Sequence, residues 1–289
     1  MTSINPLPPL LYDDLIRSAL REDLGRAGDL TTDAVVPAEA EAEAAIVVRR
    51  EGRVAGSEVA ARVFRILDPA VETDILVDDG VDAVSGDPLV RLRGPARAIL
   101  TGERTALNIL GRLCGIATLT RAYVRAVEGT GAQVVCTRKT TPGLRALEKY
   151  AVRCGGGANH RFGLDDAVLI KDNHLAVAGG VRQAVERARA GVGHMVKIEL
   201  EVDTLEQLEQ GLAIGADAVL LDNMGPETLR KAVTLVDGRC LTEASGGIDL
   251  ETAAAVAATG VDLLSVGALT HSAPWLDVSL EVETGEDQF

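Results

Sequence analysis

Aromatic side chains are nearly missing from this chain: three Phe, three Tyr and one Trp, 2% of 289 residues. With so few rings the core has to be built from Ala, Val, Leu and Ile. Recognition of single-stranded nucleic acid, which stacks bases on aromatic faces, is disfavoured. Positive charge is scarce as well. The 29 Lys and Arg face 43 Asp and Glu, a formal net charge of −14. That balance argues against a general role on DNA or on an anionic membrane surface. The cysteines, Cys114, Cys136, Cys154 and Cys240, include no CxxC pair, so structural zinc and a disulfide framework are disfavoured and free thiols in a reducing compartment are expected. The histidines, His160, His174, His194 and His271, show no HExxH spacing, which speaks against a zinc enzyme. No uninterrupted apolar run reaches membrane-span length, and MTSINPLPPLLYDDLI lacks the basic start and apolar core of a signal peptide. The expectation is a soluble, cytoplasmic protein with no nucleic-acid or membrane partner. No dinucleotide fingerprint occurs, which speaks against a dinucleotide cofactor.

Against this background the stretch 137–174 stands out. It holds seven Lys/Arg and two His against four acids, and three of the five lysines in the chain, Lys139, Lys149 and Lys171. Cations gathered in one place on an acidic protein suggest a pocket for a small, highly anionic substrate.

The chain reads in two parts. Residues 10–24 look helical, with Leu11, Leu15 and Ala19 repeating at i, i+4. Strands are predicted at 44–49, 71–77 and 88–93, and helices at 57–67, with Ser57 as N-cap, at 96–113 and at 118–128. Strands and helices do not alternate regularly here, so residues 1–115 are expected to form an α+β sandwich domain, with the tail 275–289 packing back on it. From about residue 133 short apolar runs alternate with amphipathic stretches. The runs are 133–136, 167–170, 195–200, 218–221, 239–242 and 263–266. Helices are predicted near 144–153, 179–190, 204–213, 226–236 and 249–258. This rhythm predicts parallel strands joined by βα units, an open α/β barrel over 116–274.

Polar residues recur just after these runs. From Lys139 the steps to Lys171, Glu201, Asp222, Ser245 and Gly267 are 32, 30, 21, 23 and 22 residues, each about one βα unit. In parallel α/β barrels the carboxyl ends of the strands carry the active site. Within 196–201, Lys197, Glu199 and Glu201 share one face, as expected where a strand lines a wet barrel mouth.

The chemistry of these ends is specific in type. Glu243-Ala-Ser-Gly-Gly-Ile-Asp249 follows a strand and is expected to open a helix, and Ser265-Val-Gly-Ala-Leu-Thr-His-Ser272 repeats the design. Glycines allow close approach of backbone to an anion, and N–H groups at a helix start attract one. Glu201 and Asp222 are either hard-oxygen donors for Mg²⁺ or else helix N-cap or solvated acids. Lys139 and Lys171 are either Schiff-base nucleophiles or fixed charges. Arg138 and Arg161 nearby, with the Gly155–Gly157 loop between them, favour fixed charges, because arginine suits bidentate recognition of planar anions. Lys149 and Arg153 fall on a helical pattern and are expected to be solvated.

At these motifs the sequence resembles the quinolinate phosphoribosyltransferase family, the carboxylating nicotinate-nucleotide pyrophosphorylases. The resemblance runs through Glu22-Asp23-Leu24-Gly25, Gly28-Asp29-Leu30-Thr31-Thr32, Glu103-Arg104-Thr105-Ala106-Leu107-Asn108 and Thr137-Arg138-Lys139-Thr140-Thr141-Pro142-Gly143. It continues through Asn159-His160-Arg161, Ile170-Lys171-Asp172-Asn173-His174, Leu221-Asp222-Asn223 and Glu243-Ala244-Ser245-Gly246-Gly247 to the Gly267 loop. The resemblance implies an N-terminal α/β sandwich, an open barrel and a homodimer (or higher oligomer) with shared active sites. It implies that Arg104 reaches across to the partner, and that Thr137, Arg138, Lys139, His160, Arg161 and Lys171 hold quinolinate and phosphoribosyl pyrophosphate. Glu201 and Asp222 would face the ribose and Mg²⁺. Ser245, Gly246 and Gly247, with Val266, Gly267 and Ala268, would bind the 5-phosphate. Catalysis would rest on Lys139, Lys171, Glu201 and Asp222.

Three other readings share these residues: a same-fold transferase acting on another acid, such as the molybdenum-transport-associated paralogue; a Schiff-base lyase on Lys139 or Lys171; and a non-catalytic anion sensor. Arg138, Lys139 and Arg161, with Arg104 from the partner, are a surplus of cations for a monocarboxylate and favour the dicarboxylate quinolinate.

Overall fold

The computed structural model describes residues 4–283. The chain divides into two compact units. The first is formed by residues up to Arg121, Thr141–Gly156 and residues from Ser272 onward; the second by Ala122–Thr140 and Gly157–His271.

The first unit contains β1 (Glu41–Val48), β2 (Gly52–Arg53), β3 (Glu72–Ile75), β4 (Asp82–Ala83) and β5 (Pro88–Pro95). On β5, Val90 and Leu92 are buried while Arg91 and Arg93 are exposed, the alternation of a sheet with one face on the core. Helix Ser57–Leu67 buries Val59, Ala60, Val63 and Phe64. Its cap is not Ser57, as expected, but Asp79 from outside the helix. The Asp79 carboxylate accepts from the N–H groups of Gly56 (2.9 Å) and Ser57 (3.0 Å), satisfying donors that the helix itself cannot. The first α-helix runs Asp13–Leu24 after a 3₁₀ turn. Its core face is Tyr12, Ile16 and Leu20, one residue on from the predicted phase, and Leu11 is exposed. The helices expected at 96–113 and 118–128 are one helix, Ala96–Ala126. Its middle is apolar and buried at Cys114, Ile116 and Ala117, which offsets the roughly 1 kcal/mol cost of Gly115 in a helix interior. After Ser272 the chain lies along this unit. Leu276 N–H donates to Gly111 O (2.9 Å), and Val278–Val282 pairs antiparallel with β1. The tail residues 284–289 lie outside the described residues.

Helix Arg145–Cys154 corrects one expectation. Lys149 is buried at 2% exposure, and its neighbour Glu148 is fully buried. Glu148 accepts from Arg112 Nη2 (2.9 Å), Thr141 Oγ1 (2.8 Å) and Thr141 N (3.0 Å). A helical pattern with charge at 145, 148, 149 and 153 suggests a solvated face, but this charge is enclosed and paired. Arg153 is partly exposed and donates to Asn5 O (3.0 Å).

The second unit carries β6 (Gln133–Val135), β7 (Val168–Ile170), β8 (Ile198–Val202), β9 (Ala218–Asp222), β10 (Leu241–Ser245) and β11 (Leu263–Ser265). Among the described residues they form one parallel sheet in the order β6-β11-β10-β9-β8-β7, with β6 and β7 unpaired to each other. This is the open α/β barrel that the periodicity predicts. The returning β12 (Val278–Val282) closes the first unit's sheet, in the order β12-β1-β5-β3. Buried Val134, Ile170, Ile198, Leu200, Val219, Leu221 and Leu264 line the strands, the aliphatic core that an aromatic-poor sequence requires. Strand ends differ from prediction by up to three residues: β10 and β8 start two and three residues later than the apolar runs suggested. Lys197 therefore precedes β8 and pairs with Asp217 (3.1 Å) instead of sharing the inner face of the strand with Glu199 and Glu201.

Candidate active site

The parallel registers set the residues of the mouth side by side: Glu201 lies opposite Leu220, and Asp222 opposite Ser245. A cavity of about 410 Å³ opens there. Its lining is Thr137, Arg138, Lys139, His160, Arg161, Leu169, Lys171, Glu201, Leu220, Asp222, Ser245 and Ser265. Of the predicted site residues, nine meet in it. Ser265 and the two leucines were not predicted. A larger, shallower depression of about 580 Å³ lies at the end of helix Pro226–Val236. That helix end lies toward the amino ends of the strands, where βα barrels do not place chemistry.

Neither Arg138 nor Arg161 has an ion pair with an acid among the described residues. Arg138 and Arg161 each have a buried Nε with no hydrogen-bond acceptor among the described residues. An unmet buried donor on a charged group costs on the order of 1–3 kcal/mol. Burial, and then the nearby positive charge of Arg138, hold the pKa of Arg161 below its ordinary value. Two guanidinium groups lining one cavity suit an anion with two acceptor groups.

The remaining charges are partnered. Lys171 Nζ is ion-paired with Glu201 Oε2. Asp222 Oδ2 accepts from Asn223 Nδ2 (2.6 Å). Neither acid is a helix cap: the helices that follow are capped at Thr204, which accepts from Gln207 N, and at Gly225. The N-cap alternative for Glu201 and Asp222 therefore falls. Lys139 is fixed through its backbone, with its N–H donating to Thr137 Oγ1 (3.0 Å) and its carbonyl accepting from Thr270 Oγ1 (2.8 Å). Its side chain runs beside Gly267, where a Cβ would stand 3.0 Å from Lys139 Cδ.

The glycine loops differ from expectation in one respect. The helix after β10 is short and begins only at Ala253, so Gly246 and Gly247 do not sit at a helix start. Whatever anion affinity this loop has comes from its own backbone. Val266 is buried, and its N–H is used on Val135 O (3.0 Å). Gly246, Gly247, Val266, Gly267 and Ala268 flank the lining residues Ser245 and Ser265 in sequence and are not themselves part of the lining.

Arg104 is not among the lining residues either. It lies on helix Ala96–Ala126, with a side chain 65% exposed and Glu103 as an ion partner at 3.8 Å.

Beneath the mouth lies a group only half anticipated. His160 Nε2 is 2.8 Å from Glu199 Oε2 and 3.6 Å from Glu243 Oε1. Both glutamates are buried, and Glu243 Oε1 has no hydrogen-bond partner among the described residues. Desolvation, and then repulsion from Glu199, push the Glu243 carboxyl up to about 7. The signal was present in the sequence: in Ile-Glu-Leu-Glu-Val and Leu-Thr-Glu-Ala-Ser the alternation places Glu199 and Glu243 on the inner face, one layer below the strand ends.

Residues 29–114 match the N-terminal domain of quinolinate phosphoribosyl transferase, and residues 116–281 match its C-terminal domain. The chain belongs to this family. It is 47% identical over 268 residues to the probable nicotinate-nucleotide pyrophosphorylase [carboxylating] of Bacillus subtilis, covering 93% of this chain and 92% of that one. It is 48% identical over 277 residues to the nicotinate-nucleotide pyrophosphorylase [carboxylating] of Mycobacterium leprae, covering 93% and 96%. The crystal structure of NadC from Streptococcus pyogenes superposes with a TM-score of 0.93 at 41% identity, covering 96% of this chain and 99% of that one. The family expected from the motifs is thus the family found, and the fold agrees over nearly the whole chain.

Proposed function

We propose that this family member transfers phosphoribosyl from phosphoribosyl pyrophosphate to quinolinate, releasing pyrophosphate and CO₂ and forming nicotinate mononucleotide in NAD biosynthesis. The observation that carries the reading is that Arg138, Lys139, Arg161 and Lys171 line one cavity. A planar pyridine with two adjacent carboxylates, together with a phosphorylated sugar, supplies anions to match them. The names of the relatives point the same way.

In this reading Arg138 and Arg161 hold the carboxylates, while Lys139 and Lys171 set fixed charge against the phosphates, with the backbone of 245–247 and 266–268 at the 5-phosphate. The quinolinate nitrogen attacks C1 of the ribose as the bond to pyrophosphate breaks. Glu201 and Asp222, facing the cavity, steady positive charge as it develops on the ribose, an effect of preorganised electrostatics and not of a covalent intermediate. The nitrogen, now a pyridinium, accepts the electron pair when the adjacent carboxylate leaves as CO₂, and the ring carbon then takes a proton. The ion pair of Lys171 with Glu201 engages the amine that a Schiff-base role would need free.

Glu201 and Asp222 are hard-oxygen donors on adjacent strand ends, a set that suits Mg²⁺. When bound, Mg²⁺ would neutralise pyrophosphate oxygens. The functional unit is a homodimer in which Arg104 serves the partner's cavity; its exposure and its absence from the lining of the cavity support this. The compartment is the cytoplasm. Among the described residues no helix is long and apolar enough to cross a membrane.

The test is a coupled assay for nicotinate mononucleotide from quinolinate, with CO₂ release measured in parallel. Lys139→Ala and Arg104→Ala are expected to lose most activity. Near-normal product from both would overturn the site assignment, and turnover of nicotinate in preference to quinolinate would overturn the substrate.

A further inference from the structure

We infer that Glu199 and Glu243 are positioning residues for substrate recognition, acting through His160 on Arg161. This rests on the quinolinate reading above and adds to it a layer beneath the lining of the cavity.

The argument begins with the ring of His160. Its Nδ1 accepts the backbone N–H of Arg161 at 2.7 Å. A nitrogen that accepts carries no proton, so the neutral ring is protonated on Nε2. That proton is directed at Glu199 Oε2, 2.8 Å away. Both ring nitrogens are thereby committed to protein groups. Cation binding at the cluster of His160, Glu199 and Glu243, whose donor atoms lie within 4.8 Å of one another, would need a lone pair on Nε2. The proton would then have to move to Nδ1, where it would oppose the Arg161 N–H. The geometry favours a hydrogen-bonded relay over a metal site.

The relay has a direction. Glu199 is set by β8 and Glu243 by β10. Both strands are interior to the sheet, so the two carboxylates form a rigid base. His160 stands on that base and holds the peptide N–H of Arg161. The guanidinium of Arg161, which lines the cavity, is aimed in turn by Nη1 donating to Ala167 O (3.0 Å). The same device recurs at the end of β7: His174 Nδ1 accepts the backbone N–H of Lys171 at 2.9 Å. Two cations of the cavity are each held at the backbone by a histidine nitrogen.

The test is steady-state kinetics on purified dimer, with calorimetric binding of quinolinate. In Glu199→Leu the ring loses its acceptor, and the KM and Kd for quinolinate are expected to rise roughly 10- to 100-fold, with less than about a threefold change for phosphoribosyl pyrophosphate. Glu199→Gln keeps an acceptor for Nε2–H and is expected to recover most of the loss. In His160→Asn a short amide can still take the Arg161 N–H, and it is expected to bind quinolinate better than His160→Leu. A merely structural role predicts otherwise: less active protein, with both substrates affected alike. Unchanged quinolinate affinity in Glu199→Leu, or equal loss for both substrates in a folded variant, overturns the proposal. If the wild type binds quinolinate but forms no nicotinate mononucleotide, the reaction assigned above fails, while the binding series still decides the relay.

Discussion

Gly246 and Asn223 interlock at the ends of neighbouring strands. Gly246 has φ +94°, and a Cβ there would lie 2.8 Å from Asn223 Cγ and 2.9 Å from Asn223 N. Asn223, itself at φ 53°, donates its N–H to Ser245 O (2.9 Å) and its Nδ2 to Asp222. A methyl group at 246 would therefore displace the residue that orients Asp222. Gly246→Ala is expected to lower kcat/KM at least ~100-fold, since a misplacement of about 1 Å can cost that much, while circular dichroism shows a folded protein. Activity within a few-fold of wild type would show that Asp222 does not depend on this contact.

The two arginines of the cavity are expected to be worth more as planar forks than as charges. Arg161→Lys keeps the charge and loses bidentate geometry. The expected result is a rise of roughly 10- to 100-fold in quinolinate KM, with no gain for nicotinate. If the lysine variant matched wild type, recognition would be a matter of net charge alone. Competition between the two acids in the product assay separates these outcomes.

The buried Glu243 makes stability depend on pH. Its carboxyl is raised from 4.5 to about 7, with Glu199, His160 and Ser265 around it. A folded-state value above the unfolded one means the native state binds the extra proton. Stability is then fullest below about 4.5, declines as pH rises to about 7, and is flat beyond. Glu243→Gln carries no ionisable group and should remove that slope. Relative to wild type the variant is expected to gain on the order of 1–3 kcal/mol at pH 8, and nothing at pH 4.5. Denaturant midpoints at the two pH values measure it; a constant difference between the two proteins would show that the carboxyl does not titrate in the fold.

Removal of divalent cation tests Glu201 and Asp222. Chelation is expected to abolish turnover and Mg²⁺ to restore it. Asp222→Asn, which keeps the size and loses the charge, should raise the Mg²⁺ concentration for half-maximal rate about tenfold or more. A variant with an unchanged Mg²⁺ requirement would place the metal on the substrate alone.

The barrel and the upper layer of the site were legible because their signals are periodic. Apolar runs one βα unit apart placed Lys139, Lys171, Glu201, Asp222 and Ser245 at strand ends, and parallel pairing brings them to one cavity. Lys149 was misjudged because helical spacing reports which residues share a face, not whether a charged face is covered; only tertiary packing puts it at 2% exposure. The relay under His160 was hidden for a related reason. Alternation places Glu199 inward, but the 2.8 Å contact to His160 joins residues 39 positions apart, and no local pattern specifies it. The helix expected after Gly247 failed where it rested on glycine spacing: the chain makes a turn held by Thr252 and Asp249 before the helix begins at Ala253.

Arg104 carries the prediction about assembly. It is exposed on its helix and is not among the residues that line the cavity. If it completes the partner's site, an isologous dimer has two sites, each built from the Lys139 of one protomer and the Arg104 of the other. Arg104→Ala and Lys139→Ala would each be inactive alone. Mixed by unfolding and refolding together, they form hybrid dimers in which one site bears both substitutions and the other bears neither. At equal amounts and random pairing about half the dimers are hybrids with one intact site, so about a quarter of wild-type activity should return. If Arg104 serves the cavity of its own chain, every site carries one substitution and mixing restores nothing. The recovered activity, measured against a mock-mixed control of each variant, decides between the two arrangements.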